Sequence, residues 1–255
     1  AVVVVKLPNF RDSFQKNGKS VASVLGETLP NTIILAVASI VIAIVTGLLL
    51  GVIAATYKDT FIDHWLQVLS TLGMSVPSFF SAILFAWFFG YVIHDITGLS
   101  MSGSLYVVDD FGEEKTIVWK NLILPALVLG IRPLAVILQL VRSSLLEIMQ
   151  QDYIRTAKAK GLTPANVIRK HALKNALNPV ITAVSGWFAS MLAGAVFVEY
   201  VFGWNGIGKE LVDALNTLDL PIIMGIVLVI ATMFIAINSL VDIVYAWLDP
   251  KIRLA

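Results

Sequence analysis

Cysteine is absent from the 255 residues, which excludes disulfides, thiol chemistry and thiolate-held zinc. Charge is scarce too. Asp, Glu, Lys and Arg make up 14% of the chain, against about 25% in soluble domains. The net charge of +1 gives no general attraction to nucleic acid. The three histidines, His64, His94 and His171, lie too far apart for metal-ligand spacing. There is no His-Glu-x-x-His, no Gly-x-Ser-x-Gly and no intramembrane Asp pair, so no convergent catalytic set points to an enzyme. What is abundant is apolar: 58% of residues are hydrophobic and the mean hydropathy is +0.85. The apolar runs are long and continuous, which indicates an all-α integral membrane protein, a polytopic helical bundle rather than a barrel.

Five runs meet the length of a helical span, about 20 residues. They are 28–57, 65–93 (interrupted by Pro77), 121–141 (with Arg132 inside), 175–198 and 220–241. Five spans put the chain ends on opposite sides. The loops at 58–64 and 142–174 and the tail carry Lys58, Arg142, Arg155, Lys158, Lys160, Arg169, Lys170, Lys174, Lys251 and Arg253. The loops at 94–120 and 199–219 carry only Lys115, Lys120 and Lys209. The Lys/Arg bias makes the first set cytoplasmic. Lys6, Arg11, Lys16 and Lys19 then lie outside. Because the chain opens on AVVVV without Met, a sixth, N-terminal span is expected upstream. The expected organisation is an external segment at 1–28, a transmembrane domain at 29–248 with a cytoplasmic loop at 142–175, and a cytoplasmic tail at 249–255.

The stretch from Gln151 to Thr182, QDYIRTAKAKGLTPANVIRKHALKNALNPVIT, is a basic island between two spans. Its Ala, Lys, Arg and Leu favour helix. Gly161 suits a left-handed helix end, and Thr163-Pro164 suits a helix start. The pattern reads as helix, turn, helix: a folded polar element that should bind something.

Several motifs have two readings. GWNGIGKE at 203–210 matches G-x-x-x-x-G-K. A phosphate-binding loop, however, also needs Ser or Thr next and a strand before it. Here Glu210 follows and a span precedes. The better reading is a glycine-broken outer re-entrant loop at Gly203, Gly206 and Gly208. Gly47 and Gly51 form one small-residue pair, and Gly186, Ser190 and Gly194 form a ridge with Ala189 and Ala193. Both patterns fit packing within one subunit or a subunit interface. Arg132 stands mid-span, followed by Pro133. It either pairs with a carboxylate or helix-end carbonyls, or it lines a substrate pathway and meets an anionic group. Glu199 and Asp242 flank spans and are read as interfacial. The acidic loop VVDDFGEE at 107–114 reads as a solvated outer loop.

The segment RSSLLEIMQQDYIRTAKAKGLTPANVIRKHALKNALNPV, Arg142 to Val180, resembles the cytoplasmic coupling loop of ATP-binding-cassette importer permeases. The general family pattern is Glu-Ala-Ala, three residues, then Gly. Arg155 and Thr156 replace the first two positions, while Ala157 and Gly161 match. That departure resembles the dipeptide, oligopeptide and nickel branch, where DYxRTAxAKG is usual. EYVFGWNGIGKELVDAL at 199–215, the tail DIVYAWLDPKIR at 242–253 and GETLPNTIILA at 26–36 are similar to that branch too. The resemblance covers the chain from Asn9 onward.

It implies a type I importer transmembrane architecture and a permease subunit of an ATP-driven, binding-protein-dependent importer, most often for peptides. The implied partners are a second homologous permease, two cytoplasmic ATPase subunits and an extracytoplasmic substrate-binding protein, all around a prokaryotic cell membrane. The chain itself would bind no cofactor and no metal; ATP and magnesium would sit on the ATPases. Asp152, Tyr153, Ile154, Arg155, Thr156, Ala157, Lys158 and Gly161 would form the ATPase-coupling element, with Tyr153, Ile154 and Ala157 supplying its apolar contact. The alternative is a stand-alone secondary transporter or channel. No clear internal repeat supports it, and it leaves the polar island without a purpose.

Overall fold

The computed structural model describes residues 10–108 and 115–248, and within these leaves the side chains of 108, 115, 192–194, 242 and 244–248 undescribed. Helices α1 (Val21–Thr56), α2 (Phe61–Ser75), α3 (Ser78–Trp87), α4 (His94–Thr97), α5 (Lys120–Ile148), α6 (Asp152–Ala159), α7 (Pro164–Val167), α8 (Leu173–Ala176), α9 (Asn178–Gly194), α10 (Val196–Phe202), α11 (Ile207–Asn216) and α12 (Leu220–Leu248) follow in order, with π-helical turns at Phe88–Val92 and Ile168–Ala172. The loop between α4 and α5 adds one departure from an all-α chain. Strands β1 (Tyr106–Val108) and β2 (Lys115–Ile117) pair antiparallel, with Tyr106 opposite Ile117. Most of the acidic run, 109–114, and the tail from Asp249 lie outside the described residues.

Among the described residues, three helices are long and apolar enough to cross a membrane: α1, α5 and α12. Two bent pairs, α2 with α3 and its π turn, and α9 with α10, bring the total to five if each is one broken span. The first pair bends by 109°. Its cause is local: Val76, extended before Pro77, cannot easily adopt helical backbone because of the proline ring.

Helix α1 starts at Val21, earlier than the uncharged run at Thr28 indicated. Ser20 caps it by accepting from the Ser23 amide. Glu27 faces outward and pairs with Lys19 at 2.8 Å, so the charge does not stop the helix. Val21, Val24 and Leu25 face inward and pack with Ile207, Ala214, Ile222 and Ile226. At 1.5 Å per residue, α1 is about 54 Å long, well beyond the apolar thickness of a bilayer, about 30 Å.

Helix α5 lies along α1. A Cβ on Gly47 would stand 2.8 Å from Ile137 Cγ2, one on Gly51 2.7 Å from Val141 Cβ, and one on Gly130 2.9 Å from the Ser39 carbonyl. The pairs rise together in number, so α1 and α5 run parallel, as the first and third of five spans must. The Gly47/Gly51 pair therefore serves packing within the subunit. The α9 ridge differs: Gly186 and Ser190 are exposed on the chain, and Gly186 has nothing within 4 Å of a Cβ. The side chains at Ala193 and Gly194 lie outside those described.

Candidate functional site

At the end of α5 the chain turns at Met149–Gln151 and enters α6. Gln151 stands extended at the start, and its carbonyl accepts from the Ile154 and Arg155 amides. Asp152 in the first turn and Lys158 in the last suit the helix dipole. The helix ends in a Schellman arrangement: the Gly161 amide donates to the Lys158 carbonyl at 2.9 Å and the Leu162 amide to the Ala157 carbonyl at 3.4 Å. Gly161 takes φ +82° there, a left-handed backbone that glycine adopts without strain. Thr163 holds the N-cap position of α7, but its side chain makes no capping bond.

Helix α6 has two faces. Asp152, Tyr153, Arg155, Thr156 and Lys158 are exposed. Ile154 and Ala157 are 0% and 6% exposed and join Val141, Leu145, Val167 and Ala172 in one core cluster. This corrects the expectation that Ile154 and Ala157 contact a partner. They fasten α6 to the subunit's own bundle, because a helix of eight residues has no stability of its own in water. Only Tyr153 of the expected apolar trio remains outward, its hydroxyl accepting from Asn175 Nδ2 at 3.0 Å. The outward surface continues through Lys160, Arg169, Lys170 and Lys174, all exposed.

The loop between α10 and α11 holds a second constellation. Gly203 (φ +65°) ends α10 in the same Schellman arrangement, with the Trp204 amide donating to the Glu199 carbonyl at 2.8 Å. Gly206 begins α11. Glu199, read as interfacial, is instead fully buried. Its carboxyl oxygens accept from the Gly208 amide at 2.7 Å, the Lys209 amide at 3.2 Å and the Thr32 hydroxyl at 2.7 Å. The Thr32 oxygen in turn accepts from the Ile207 amide at 2.9 Å. The Trp204 indole donates to the Asn31 carbonyl at 3.0 Å, and Asn31 Nδ2 donates to the Asn205 carbonyl at 2.7 Å. A helix start with free amides is a general anion site; here the glycine motif closes on the protein's own Glu199. Side chains at 206 and 208 would collide with it: a Cβ on Gly206 would lie 2.4 Å from Glu199 Oε2, and one on Gly208 2.5 Å from Val196 Cα. The glycines thus fold the loop against Asn31 and Thr32 of α1.

Arg132 is exposed on the chain. It donates to the Met74 carbonyl at 3.3 Å, near the C-terminus of α2, and makes no ion pair among the described residues. Two contacts further along α2 and α5 gave no local signal in sequence. Ser70 accepts from Gln139 at 2.9 Å, and Arg142 grips the buried Asp63 with two bonds at 2.6 and 2.7 Å. Asp242, the other flanking acid, has no described side chain. Among the described residues no group of three or more His, Asp or Glu side chains is placed to hold a metal.

Comparison with known proteins gives a consistent answer. The family model described as "Binding-protein-dependent transport system inner membrane component" matches residues 47–254. The di/tripeptide transport system permease protein of Pseudomonas aeruginosa (strain UCBPP-PA14) is 40% identical over 239 residues, covering 88% of this chain and 70% of that protein. The dipeptide transport system permease protein of Bacillus subtilis (strain 168) is 38% identical over 246 residues, covering 96% and 75%. Among solved structures, an amino acid ABC transporter crystallised with histidines matches at TM-score 0.62 and 14% identity, covering 87% of this chain and 92% of that one. The inward-facing MetNI methionine ABC transporter matches at 0.62 and 17%, covering 87% and 96%. At such identities these two structures speak for the fold alone.

Proposed function

The chain belongs to the family of binding-protein-dependent transport system inner membrane components, and from that premise we propose that it carries peptides and is driven through the outward face of α6. It is a multi-pass permease subunit of an ATP-binding-cassette importer, with the type I transmembrane fold. It is a transport component rather than an enzyme, and importers of this kind work with an ATPase and a substrate-binding protein. The peptide reading rests on relatives named as dipeptide and di/tripeptide permeases at 38–40% identity. A stand-alone transporter or channel does not account for that family membership or for α6.

In the full assembly two ATPase subunits, holding ATP and magnesium, would dock from the cytoplasm, and a second related permease would complete the pathway. The exposed α9 face around Gly186 is the surface offered to that permease, since small residues let helices approach closely. The substrate-binding protein would meet the outer face, where a cavity of about 560 Å³ opens between Glu27, Tyr106, Lys209 and the Lys16–Glu210 ion pair. The loop at 142–175 would face the cytoplasm and residues 1–28 the outside.

One observation carries the coupling assignment: α6 buries Ile154 and Ala157 in its own subunit while presenting Tyr153, Arg155, Thr156 and Lys158 outward. A rigid short helix seated in the bundle passes a push on its outer face into α5. The test separates the two faces. Arg155→Glu with Lys158→Glu should leave the permease folded and lower ATPase co-purification roughly tenfold, equivalent to about 1.4 kcal/mol. Ala157→Asp should unseat α6, because an unpaired buried charge costs several kcal/mol, and should abolish peptide uptake in ATP-supplied vesicles. Gly161→Val should weaken coupling by forcing a β-branched residue to positive φ, at a cost of about 1–2 kcal/mol. Normal ATPase binding and normal uptake in the outward-face variant overturn the assignment.

A further inference from the structure

We propose that the crevice at the Pro77 bend is a carboxylate-binding site inside the membrane domain, and that it takes the C-terminal carboxylate of a peptide in transit. The proposal rests on the peptide-importer reading above. The crevice has a volume of about 110 Å³ and lies where α2 ends, α3 begins and both meet α5 and α9; Ser78, Ser81, Arg132, Trp187 and Ser190 line it.

Its chemistry is lopsided. Arg132 carries five N–H donors, and its one described bond goes to the Met74 carbonyl at a long 3.3 Å. Ser81 is 9% exposed, and its hydroxyl has no hydrogen-bond partner among the described residues. The hydroxyls of Ser78 and Ser190 and the Trp187 indole also make no bond there. Helix α3 starts at Ser78 behind Pro77 with no side-chain cap, so its first amides stay open as well. No carboxylate lines the crevice.

A site with many donors, one fixed positive charge and no anion of its own has little to offer an ammonium group, while its apolar wall of Val128, Leu129, Ile131 and Met191 would pack against the carbon that bears a bound acceptor. It fits a group that only accepts. A carboxylate does so with two oxygens in the plane of the guanidinium fork, and away from bulk water such a pairing is stronger than at a surface. The size sets which part of a peptide enters. A water occupies about 30 Å³, so the crevice admits a carboxylate and its α-carbon. The rest of the peptide would remain outside this chain, past the exposed Arg132 and Ser190. That makes the bend a register point: it reads the end of a peptide and not its side chains.

The native chain has no cysteine, so Ser190→Cys gives a single reporter in the assembled importer, reconstituted in vesicles with its partner subunits and ATP. Three results are expected. A small anionic methanethiosulfonate should react faster than a neutral one. Alanylalanine should slow that reaction roughly tenfold, and alanylalanine amide should do so far less, because only the carboxylate offers the fork two charged acceptor oxygens. Arg132→Gln should remove both effects and lower alanylalanine uptake roughly tenfold, with Arg132→Lys intermediate because it keeps the charge and loses the fork. Equal protection by the amide, no reaction at position 190, or normal uptake by Arg132→Gln overturns the proposal. So does an Arg132→Gln complex that loses its second permease, since the carboxylate would then belong to that subunit. A reference complex, carrying no substitution, that takes up no peptide refutes the peptide reading instead, and that control is run first.

Discussion

Single residues set the outer loop. Glu199 is held by three donors from two segments, and the space for its carboxyl group exists only because positions 206 and 208 have no side chain. Gly206→Ala should displace the carboxyl group and strand buried donors, each costing about 1–3 kcal/mol. The expected result is a clear fall in the melting temperature of the purified protein in detergent. Thr32→Val should give a smaller fall, and an unchanged midpoint in Gly206→Ala would show that Glu199 has another place to go. Asp219, just before α12, ties the N-terminal segment down: it accepts from the Ser13 hydroxyl and from the Phe14 and Gln15 amides. Burial pushes its pKa up, but these bonds and one from the Ile222 amide outweigh it and hold the group below its ordinary value. The sign follows. A carboxyl group with a lowered folded pKa stabilises above the unfolded value, about 3.9, and loses that contribution as pH falls through the folded one. The Phe14 and Gln15 amides should thus show high protection factors at neutral pH and lose that protection, measured against the intrinsic exchange rate, as pH falls from about 3.9 toward the lowered folded value. Asp219→Asn should exchange fast at neutral pH.

At the scale of elements, α2 and α5 form an antiparallel pair pinned at intervals. Asp63 meets Arg142, Ser70 meets Gln139, and the Met74 carbonyl meets Arg132. The Asp63–Arg142 pin is the strongest, since Asp63 is fully buried and Arg142 grips it with two bonds. It sits two turns before the end of α5, so under the coupling proposal a push on α6 would reach α2 through it. Removing one partner leaves a buried charge and should cost about 3–5 kcal/mol. Arg142→Met alone should therefore strand the buried Asp63 and destabilise the permease strongly, and Arg142→Met with Asp63→Leu should recover most of the loss. The check is a double-mutant cycle on detergent unfolding midpoints; additive losses would mean the pin carries no coupling. The same reasoning explains α6. Its core face was read as a partner contact because small and apolar residues in a polar stretch signal an interface, and periodicity alone does not say with which body.

For the whole molecule, direction is the testable property. The parallel course of α1 and α5 agrees with an even number of crossings, two, between their starts. Ser102, Thr163 and Asn216 are all exposed on the chain. Ser102→Cys and Asn216→Cys should react with an impermeant thiol reagent applied outside intact cells, and Thr163→Cys only after the membrane is opened. External reaction at 163 would reverse the orientation and remove α6 from the ATPase side.

Much of this protein was settled by its sequence alone. Long apolar runs in a chain with 14% charged residues leave only a helical membrane bundle, because backbone amides in lipid must be satisfied within a helix. The Lys and Arg bias sets an expected direction, which the labelling above tests, and the island from Gln151 gave a folded element, ended at Gly161 by a backbone that suits glycine. The contacts between distant segments came only with the tertiary structure. Asp63 and Arg142 are 79 residues apart, and Thr32 and Glu199 are 167 apart; no local pattern of polarity marks either pair. The 109° bend at Pro77 was visible as a break but not as an angle, since a proline forbids helix before it without choosing the new direction. Packing also decided which face of α6 is free and that Gly47 and Gly51 receive α5 rather than another subunit. A run of residues defines what a surface offers, while close packing against particular neighbours determines which surfaces are already used.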